Sequence, residues 1–238
     1  MKKILIILLI LTCILSLSIL IFIKFFKNTP STDEGGTDNE DITSDHEETN
    51  GNIDNTTVST TEESIKVVII VAPVNYNGTE FNQVKEILTK ANFEIEVASK
   101  GVSQAKSMSG ETTQIDIYIS DINYIEYDAI VFIGGPGAHD YFNDNTATSL
   151  AKNFYNAGKL TTAICSAPAI LANAGILNGK KATCYPGYEN YLTSNGATYT
   201  KEDVTVDGII ITGNGPDSSR AFGEKVVEIL KERLSVTN

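Results

Sequence analysis

Cys165 is the residue of this 238-residue chain whose surroundings most clearly indicate chemistry. It follows an apolar run, 160–164, and a helical pattern, 166–174, begins directly after it. A strand that turns into a helix without a loop strains its central residue and requires small neighbours, which the sequence A-I-C-S-A supplies. A sulfur at such an elbow faces the amino end of the helix, which favours the thiolate. We therefore predict a nucleophilic cysteine; the alternative is a small buried hydrophobe.

Two glycines and a histidine lie at the end of another apolar run. Gly134 and Gly135 follow the segment 129–133 directly, and without a Cβ they let backbone amides approach a ligand. His139 comes just after this turn and is a candidate for the same pocket, with a surface or capping role as the alternative. The run G-G-P-G-A lacks the G-x-G-x-x-G spacing of a dinucleotide site. We expect no cofactor and no metal.

The elements that would position these residues alternate between strand and helix. A β-branched run such as K-V-V-I-I-V-A is typical of a strand buried on both faces. This rhythm predicts an α/β fold, a doubly wound (flavodoxin-like) parallel sheet sandwiched by helices, with ligands beyond the carboxyl ends of the strands. Short additional strands are predicted at 115–120 and 204–206. The main strands are predicted at 66–72, 93–98, 129–133, 160–164 and 209–212, and the helices at 79–91, 146–157, 166–174 and 218–234.

Four segments together resemble the ThiJ/PfpI family of the class I glutamine amidotransferase-like superfamily. They are A-I-C-S-A-P-A-I-L-A, G-I-L-N-G-K-K-A-T-C-Y-P-G, V-F-I-G-G-P-G-A and D-G-I-I-I-T-G-N-G-P, and the resemblance covers 65–234. The family includes deglycases and glutathione-independent glyoxalases, chaperones, a protease-like branch and isocyanide hydratases. The resemblance also implies a homodimer.

The resemblance assigns roles to further residues. In relatives similar to the Parkinson-disease deglycase, an acidic residue early in the first helix bonds the cysteine, and Glu80 stands at that position. The alternative for Glu80 is an ordinary first-turn acid. By the same resemblance, the amides of Gly135 and Ser166 form an oxyanion hole.

Histidine is where the sequence departs from this family. The protease-like branch has a histidine directly after the nucleophile, where this chain has Ser166, and the deglycase-like branch has one where this chain has Tyr185. The absence of these histidines argues against protease activity and weakens the case for a deglycase, and the absence of a late His-x-Glu pair argues against amidotransferase activity. Tyr185 remains a candidate hydroxyl of the site. Cys184 is expected to be a buried structural thiol rather than a resolving partner.

We therefore expect a cysteine-dependent enzyme of the glyoxalase or deglycase type, acting on small reactive carbonyls. Cys165 would add to the aldehyde and Glu80 would shuttle the proton. The alternative is a redox-sensing or stress-response binding module that uses oxidation of the same cysteine.

The chain also has a predicted N-terminal transmembrane helix. No charged residue interrupts 4–23, and twenty helical residues span about 30 Å, the thickness of a bilayer core. We predict an anchor at 1–27, a disordered acidic linker at 28–64 and the α/β domain at 65–238. The N-terminus would lie in the cytoplasm and the domain on the extracytoplasmic side of the membrane. A cleaved signal peptide is the alternative, although the run is too long and no A-x-A-like site ends it.

Charge argues against nucleic acid as a partner. The linker holds 11 Asp and Glu and no Lys or Arg, and the domain carries 14 basic against 19 acidic residues. Neutralising phosphates requires a basic surface. The expected partners are a small carbonyl substrate, the membrane and a second copy of the chain.

Overall fold

Twelve strands and six α-helices are present in residues 64–237, the part of the chain that this computed structural model describes. The strands are β1 (Lys66–Ile70), β2 (Val74–Tyr76), β3 (Glu94–Ser99), β4 (Gln104–Ser107), β5 (Thr112–Gln114), β6 (Ile117–Tyr118), β7 (Ala129–Phe132), β8 (Leu160–Ile164), β9 (Lys181–Ala182), β10 (Thr198–Tyr199), β11 (Val204–Asp207) and β12 (Ile210–Gly213). The helices are α1 (Gly78–Lys90), α2 (His139–Phe142), α3 (Asn145–Asn156), α4 (Pro168–Asn173), α5 (Glu189–Thr193) and α6 (Ser219–Thr237). Short 3₁₀ turns lie at Tyr124–Glu126, Pro136–Ala138 and Pro216–Ser218.

Seven strands form the central sheet, in the order β11-β12-β8-β7-β1-β3-β6. All neighbouring pairs are parallel except the antiparallel hairpin of β11 and β12. The five longer parallel strands wind outward in both directions from β1, with β3 on one side and β7, β8 and β12 on the other. This is the flavodoxin-like order, whose ligand position is where the winding reverses. The prediction of a mostly parallel α/β sheet is confirmed.

The helices cover both faces of this sheet. Helix α1 packs against α6, and α3 packs against α4. Right-handed crossovers place α1 on one face and α3 and α4 on the other, because the chain moves along the sheet in opposite directions before and after β3. The middle strands are therefore buried on both sides, and Val67 to Ile70 are at most 1% exposed.

The main predicted elements are confirmed, with small shifts at their ends. Each of the five main strands lies within two residues of its predicted bounds, and each of the four helices within three. The predicted strand at 115–120 shortens to β6, and the one at 204–206 becomes β11. Gly208, with φ +64°, makes the turn of the β11–β12 hairpin.

Two small sheets were not predicted. Strands β2, β4 and β5 form one, and β9 and β10 form the other. The first sheet holds the segment before α1 against the segment after β4, where the amide of Met108 donates to the oxygen of Tyr76 at 2.9 Å. This contact builds one wall of the cavity described below.

The predicted transmembrane anchor and linker, 1–27 and 28–64, lie outside the described residues apart from Ser64. Among residues 64–237, no helix is both long and apolar enough to cross a membrane.

Candidate active site

Cys165 occupies a strained turn between β8 and α4. Its φ is +64°, a left-handed conformation that is uncommon for a residue with a Cβ. The backbone is held on both sides, because the Cys165 amide donates to the oxygen of Gly213 at 2.9 Å and its oxygen accepts from the amide of Tyr185 at 2.8 Å. The helix that follows starts at Pro168 and has six residues, so it begins two residues later and is shorter than predicted. A strained residue fixed by its neighbours is typical of a functional site.

Glu80 lies beside this turn in the first turn of α1. Asn77 caps the helix, its Oδ1 accepting from the amides of Thr79 at 3.1 Å and Glu80 at 3.2 Å. The Glu80 side chain is completely buried, and its Oε2 accepts from the amide of Gly134 at 3.0 Å. Its Oε1 has no hydrogen-bond partner among the described residues. A buried carboxyl oxygen without a partner indicates a site where a proton or a ligand is handled.

Burial raises the pKa of Glu80 from 4.5 to about 7. The Cys165 thiol and the Gly134 amide lower it in part, so the thiol lies within interaction distance even though it makes no well-oriented hydrogen bond to Oε1. A carboxyl group with a pKa near neutrality can both accept and donate a proton under physiological conditions.

The Cys165 sulfur differs from the expectation of a thiolate. Burial raises the pKa of the thiol to about 12, and the negative charge of Glu80 adds to this effect. The amides of Gly135 and Ser166 offer hydrogen bonds to the sulfur, which lower the pKa but do not offset the other two effects. The helix that follows has only six residues, and the Glu80 carboxyl lies beside the sulfur. Burial and the Glu80 charge therefore favour the thiol over the thiolate.

The glycine turn after β7 completes the site. A Cβ at Gly134 would lie 2.5 Å from the Cβ of Cys165 and 3.0 Å from its sulfur. Gly135 has φ +102°, and the Ser166 hydroxyl donates to its oxygen at 3.0 Å. Gly134 and Gly135 therefore allow two backbone amides to reach Glu80 and the sulfur. Their predicted part in an oxyanion hole stays a prediction.

The contact between Gly134 and Cys165 leads to a stability prediction. We expect Gly134→Ala to lower the free energy of unfolding by about 1–3 kcal/mol, because the added methyl overpacks a buried turn. Urea unfolding measures this change. In a Cys165→Gly background the same substitution should destabilise less, since the atoms it meets at 2.5 and 3.0 Å are then absent. Equal losses in the two backgrounds would contradict the contact.

A cavity of about 270 Å³ opens onto the sulfur. Its position, between the ends of β1, β7 and β8, is where the winding of the sheet reverses. The wall is largely apolar and, among the described residues, contains no Lys or Arg. The lining residues are Asn77, Met108, Gly135, Pro136, Cys165, Ser166, Tyr185, Tyr188 and Pro216.

The two remaining predicted residues lie at the mouth. Tyr185 lines the cavity and is 45% exposed. His139 is exposed and does not line the cavity itself, but its Nε2 is hydrogen-bonded to the hydroxyl of Tyr188, which does. The structure therefore brings together Cys165, Glu80, the glycine turn and Ser166, and it places Tyr185 and His139 at the edge.

Sequence reasoning missed Tyr188, Asn77 and Met108. Asn77 had a signal, because an Asn directly before a helical pattern predicts a cap. Tyr188 follows Tyr185 in the segment Y-P-G-Y, but no periodicity shows that its ring turns toward the elbow. Cys184 is completely buried and is a free thiol, like Cys165.

The sequence model of the DJ-1/PfpI family matches residues 65–229, which is most of the chain and the whole of the site. This chain belongs to the DJ-1/PfpI family. The DJ-1/PfpI domain thus accounts for the sheet, the elbow and the glycine turn together. The resemblance noted from the motifs is confirmed.

Two relatives and one solved structure illustrate the DJ-1/PfpI relationship. The chain is 30% identical to a deglycase of Pyrococcus abyssi over 166 residues, which cover 69% of this chain and 99% of that protein. It is 28% identical to protein dj-1beta of Drosophila melanogaster, over 73% of this chain and 93% of that protein. The crystal structure of a ThiJ/PfpI domain protein from Brachyspira murdochii superposes with a TM-score of 0.70 at 32% identity, covering 71% of this chain and 98% of that one.

Proposed function

We propose that this protein is a membrane-tethered, cysteine-dependent enzyme that converts small reactive carbonyl compounds by glyoxalase- or deglycase-like chemistry. The observation that carries the proposal is the juxtaposition of Cys165, which lines the cavity, and a buried Glu80 beside its sulfur, whose pKa is raised to about 7. Relatives named deglycases, including the one from Pyrococcus abyssi, support the reaction class.

The first step is addition of the sulfur to an aldehyde. As the S–C bond forms, the thiol proton passes to the Glu80 carboxylate and the carbonyl electron pair moves onto oxygen. The amides of Gly135 and Ser166 approach the sulfur closely enough to stabilise that oxygen. Glu80 then returns the proton to the oxygen, which leaves a neutral hemithioacetal. Because the thiol loses its proton during this transfer, a resident thiolate is not required.

For a 1,2-dicarbonyl, the hemithioacetal continues to an α-hydroxy acid. Glu80 removes the hydrogen of the former aldehyde carbon as a proton, and the neighbouring carbonyl oxygen takes up a proton, which gives an enediol. Glu80 then delivers its proton to the neighbouring carbon as the first oxygen loses its own proton to solvent. The result is a thioester in which the first carbon is oxidised and the second reduced. Water then hydrolyses the thioester and restores the thiol. The net reaction adds one water and needs no external oxidant or reductant.

Glu80 also explains how the site works without the histidine found in relatives. The base that deprotonates a thiol should have a pKa near the working pH. Burial gives the Glu80 carboxyl that property. Ser166 and Tyr185, at the positions where other branches have histidine, then have no need to act as bases.

The cavity predicts a preference among substrates. A carboxylate on a substrate bound at the Cys165 sulfur would be repelled by the charge of the neighbouring Glu80, and no Lys or Arg of the described residues lines the wall to neutralise it. We expect kcat/KM for methylglyoxal to exceed that for 4,5-dioxopentanoate, a 1,2-dicarbonyl that also carries a carboxylate, at least about tenfold. Met108→Arg places a cation at an exposed position of the cavity wall, and it should lower the ratio of the two kcat/KM values. Equal values for the two substrates in the wild type would overturn this prediction.

The test of the proposed activity is methylglyoxal consumption with formation of lactate by the full chain. The wild type is compared with Cys165→Ala under the same conditions. Equal rates in the two proteins would rule out the proposed Cys165-dependent activity.

A redox-sensing or stress-response module is the second candidate. The amides of Gly135 and Ser166 and the nearby Glu80 could equally hold an oxidised sulfur. The raised pKa of the thiol argues for the enzyme, because peroxide reacts with the thiolate. Mass spectrometry after mild peroxide treatment decides: the sensor requires a gain of two oxygens at Cys165.

The membrane tether and the homodimer are further parts of the proposal. The uninterrupted apolar run 4–23 supports a single-pass anchor that holds the domain outside the cell membrane on the acidic linker. We expect the full chain to sediment with membranes and to resist extraction at high pH, and a chain without 1–27 to do neither. Light scattering of the purified protein tests the homodimer.

A further inference from the structure

The aromatic residues at the cavity mouth contain a hydrogen-bonded pair with no role in the steps above. Tyr188 lines the cavity, and its hydroxyl is bonded to Nε2 of His139, 49 residues earlier in the chain. The two rings meet edge to face with centroids 5.4 Å apart. His139 is exposed, whereas Tyr188 is only partly so. The pair therefore connects the interior of the cavity with solvent.

The proposed isomerisation needs a proton at a place that Glu80 does not occupy. When Glu80 removes the proton from the first carbon, the oxygen on the second carbon becomes negative and must be protonated. Ser166 is committed elsewhere, because its hydroxyl donates to the oxygen of Gly135. A phenol both donates and accepts, so a Tyr188 oxygen that accepts from His139 keeps its own proton for the substrate.

We propose that Tyr188 is the general acid that protonates the second carbonyl oxygen of a bound dicarbonyl, and that His139 returns a proton to Tyr188 from solvent. This assignment rests on the proposed function. Tyr188 is then a catalytic residue, and His139 is a relay that acts through it.

The protons balance over the cycle. The O–H bond of Tyr188 breaks as an O–H bond forms on the second carbon of the substrate. His139 passes a proton through Nε2 to the resulting phenolate and takes another from water. One proton leaves the first oxygen when the thioester forms and goes to solvent. No electrons enter or leave.

The surroundings of Tyr188 keep its phenol in the protonated form. Burial raises its pKa, and a negative charge on Cys165 raises it further, as do Tyr191 and Tyr185. The phenol is therefore protonated at neutral pH and lies within electrostatic reach of the sulfur.

A packing role for the same residues is the competing explanation. The Tyr188 ring stacks on Tyr191 with centroids 6.0 Å apart and meets Phe142 edge to face, also at 6.0 Å. Tyr188→Phe keeps the ring and removes only the hydroxyl. Tyr191→Phe removes a hydroxyl from the stacked neighbour, which does not line the cavity, and serves as the matched control.

The test measures kcat for methylglyoxal in the full-length wild type, Tyr188→Phe, His139→Ala, the double variant and Tyr191→Phe, with and without imidazole. We expect Tyr188→Phe and His139→Ala each to lower kcat about 10- to 100-fold, a usual range for a lost acid. Imidazole should restore at least half of the rate of His139→Ala, because that site is exposed. Imidazole should not restore the rate of Tyr188→Phe. The double variant should be no slower than Tyr188→Phe alone, and Tyr191→Phe should stay within about twofold of the wild type.

Two outcomes overturn the relay while leaving the proposed function intact. One is a wild-type rate in Tyr188→Phe; the other is a slow His139→Ala that imidazole does not rescue, which would indicate packing. Thermal unfolding of each variant identifies any loss of fold, and Phe at 188 retains the ring contacts. If wild type and Cys165→Ala consume methylglyoxal equally, the proposed function fails and the relay fails with it.

Discussion

Cys165→Ala should lower the rate of methylglyoxal consumption by the protein at least about 10³-fold. This is the scale at which removal of an attacking group reduces enzyme rates. The remaining backbone amides and cavity would still bind substrate, but no sulfur would be present to form the S–C bond. Lactate formation by the full chain is the measurement. Alanine tolerates φ +64° about as poorly as cysteine does, so the substitution should not strain the turn further.

Cys184→Ala is the matched control for this prediction. Cys184 is likewise a free thiol, but it is completely buried and does not line the cavity. We expect it to retain most of the wild-type rate while losing some stability from the small void. If both cysteine variants lose activity equally, the loss reflects folding and not the chemistry of Cys165.

Glu80→Gln should lower kcat/KM by about 10²- to 10⁴-fold, because it removes the group that accepts the thiol proton while keeping the shape of the side chain. In the wild type, kcat/KM should rise as the pH passes the Glu80 pKa of about 7, since the carboxylate is the active form. The variant should lack this rising limb. If kcat/KM of Glu80→Gln rose with pH around the same midpoint, a group other than Glu80 would be responsible for the rise.

The same substitution should change how stability depends on pH. The pKa of Glu80 is about 7 in the folded protein against an ordinary value of 4.5, so the folded state holds its proton more tightly than the unfolded chain does. Its contribution to the free energy of unfolding is complete below pH 4.5 and is lost as the pH rises through about 7, and it amounts to roughly 3 kcal/mol at most. Urea unfolding at a series of pH values should show this decline in the wild type and a flatter profile in Glu80→Gln.

The elements that carry the site were predictable because their patterns are local. Strand β8 is an uninterrupted buried run, and Cys165 follows it with small residues on both sides. The position of Glu80 needed the family resemblance, since a first-turn acid is common in helices. The strands β2 and β4 were missed because three or four residues are too few for a pattern to show.

The ionisation of Cys165 and the link from His139 to Tyr188 were not predictable in this way. The expectation of a thiolate used only the helix after the elbow, whereas the pKa depends on burial and on Glu80, 85 residues away in sequence. His139 and Tyr188 lie 49 residues apart, the first at the start of α2 and the second just before α5. Such contacts arise from tertiary packing, and no periodicity in the sequence reports them.

The bond between the Cys165 sulfur and a carbonyl carbon is the central claim, and NMR can detect it directly. The full chain is mixed with trimethylacetaldehyde carrying ¹³C at the aldehyde carbon, a compound that can add a thiol but has no second carbonyl to continue. We predict a saturable signal of a carbon bonded to both sulfur and oxygen in the wild type and in Cys184→Ala, and its loss in Cys165→Ala. A signal of equal strength in Cys165→Ala, or none in the wild type at saturating aldehyde, would contradict the proposed chemistry.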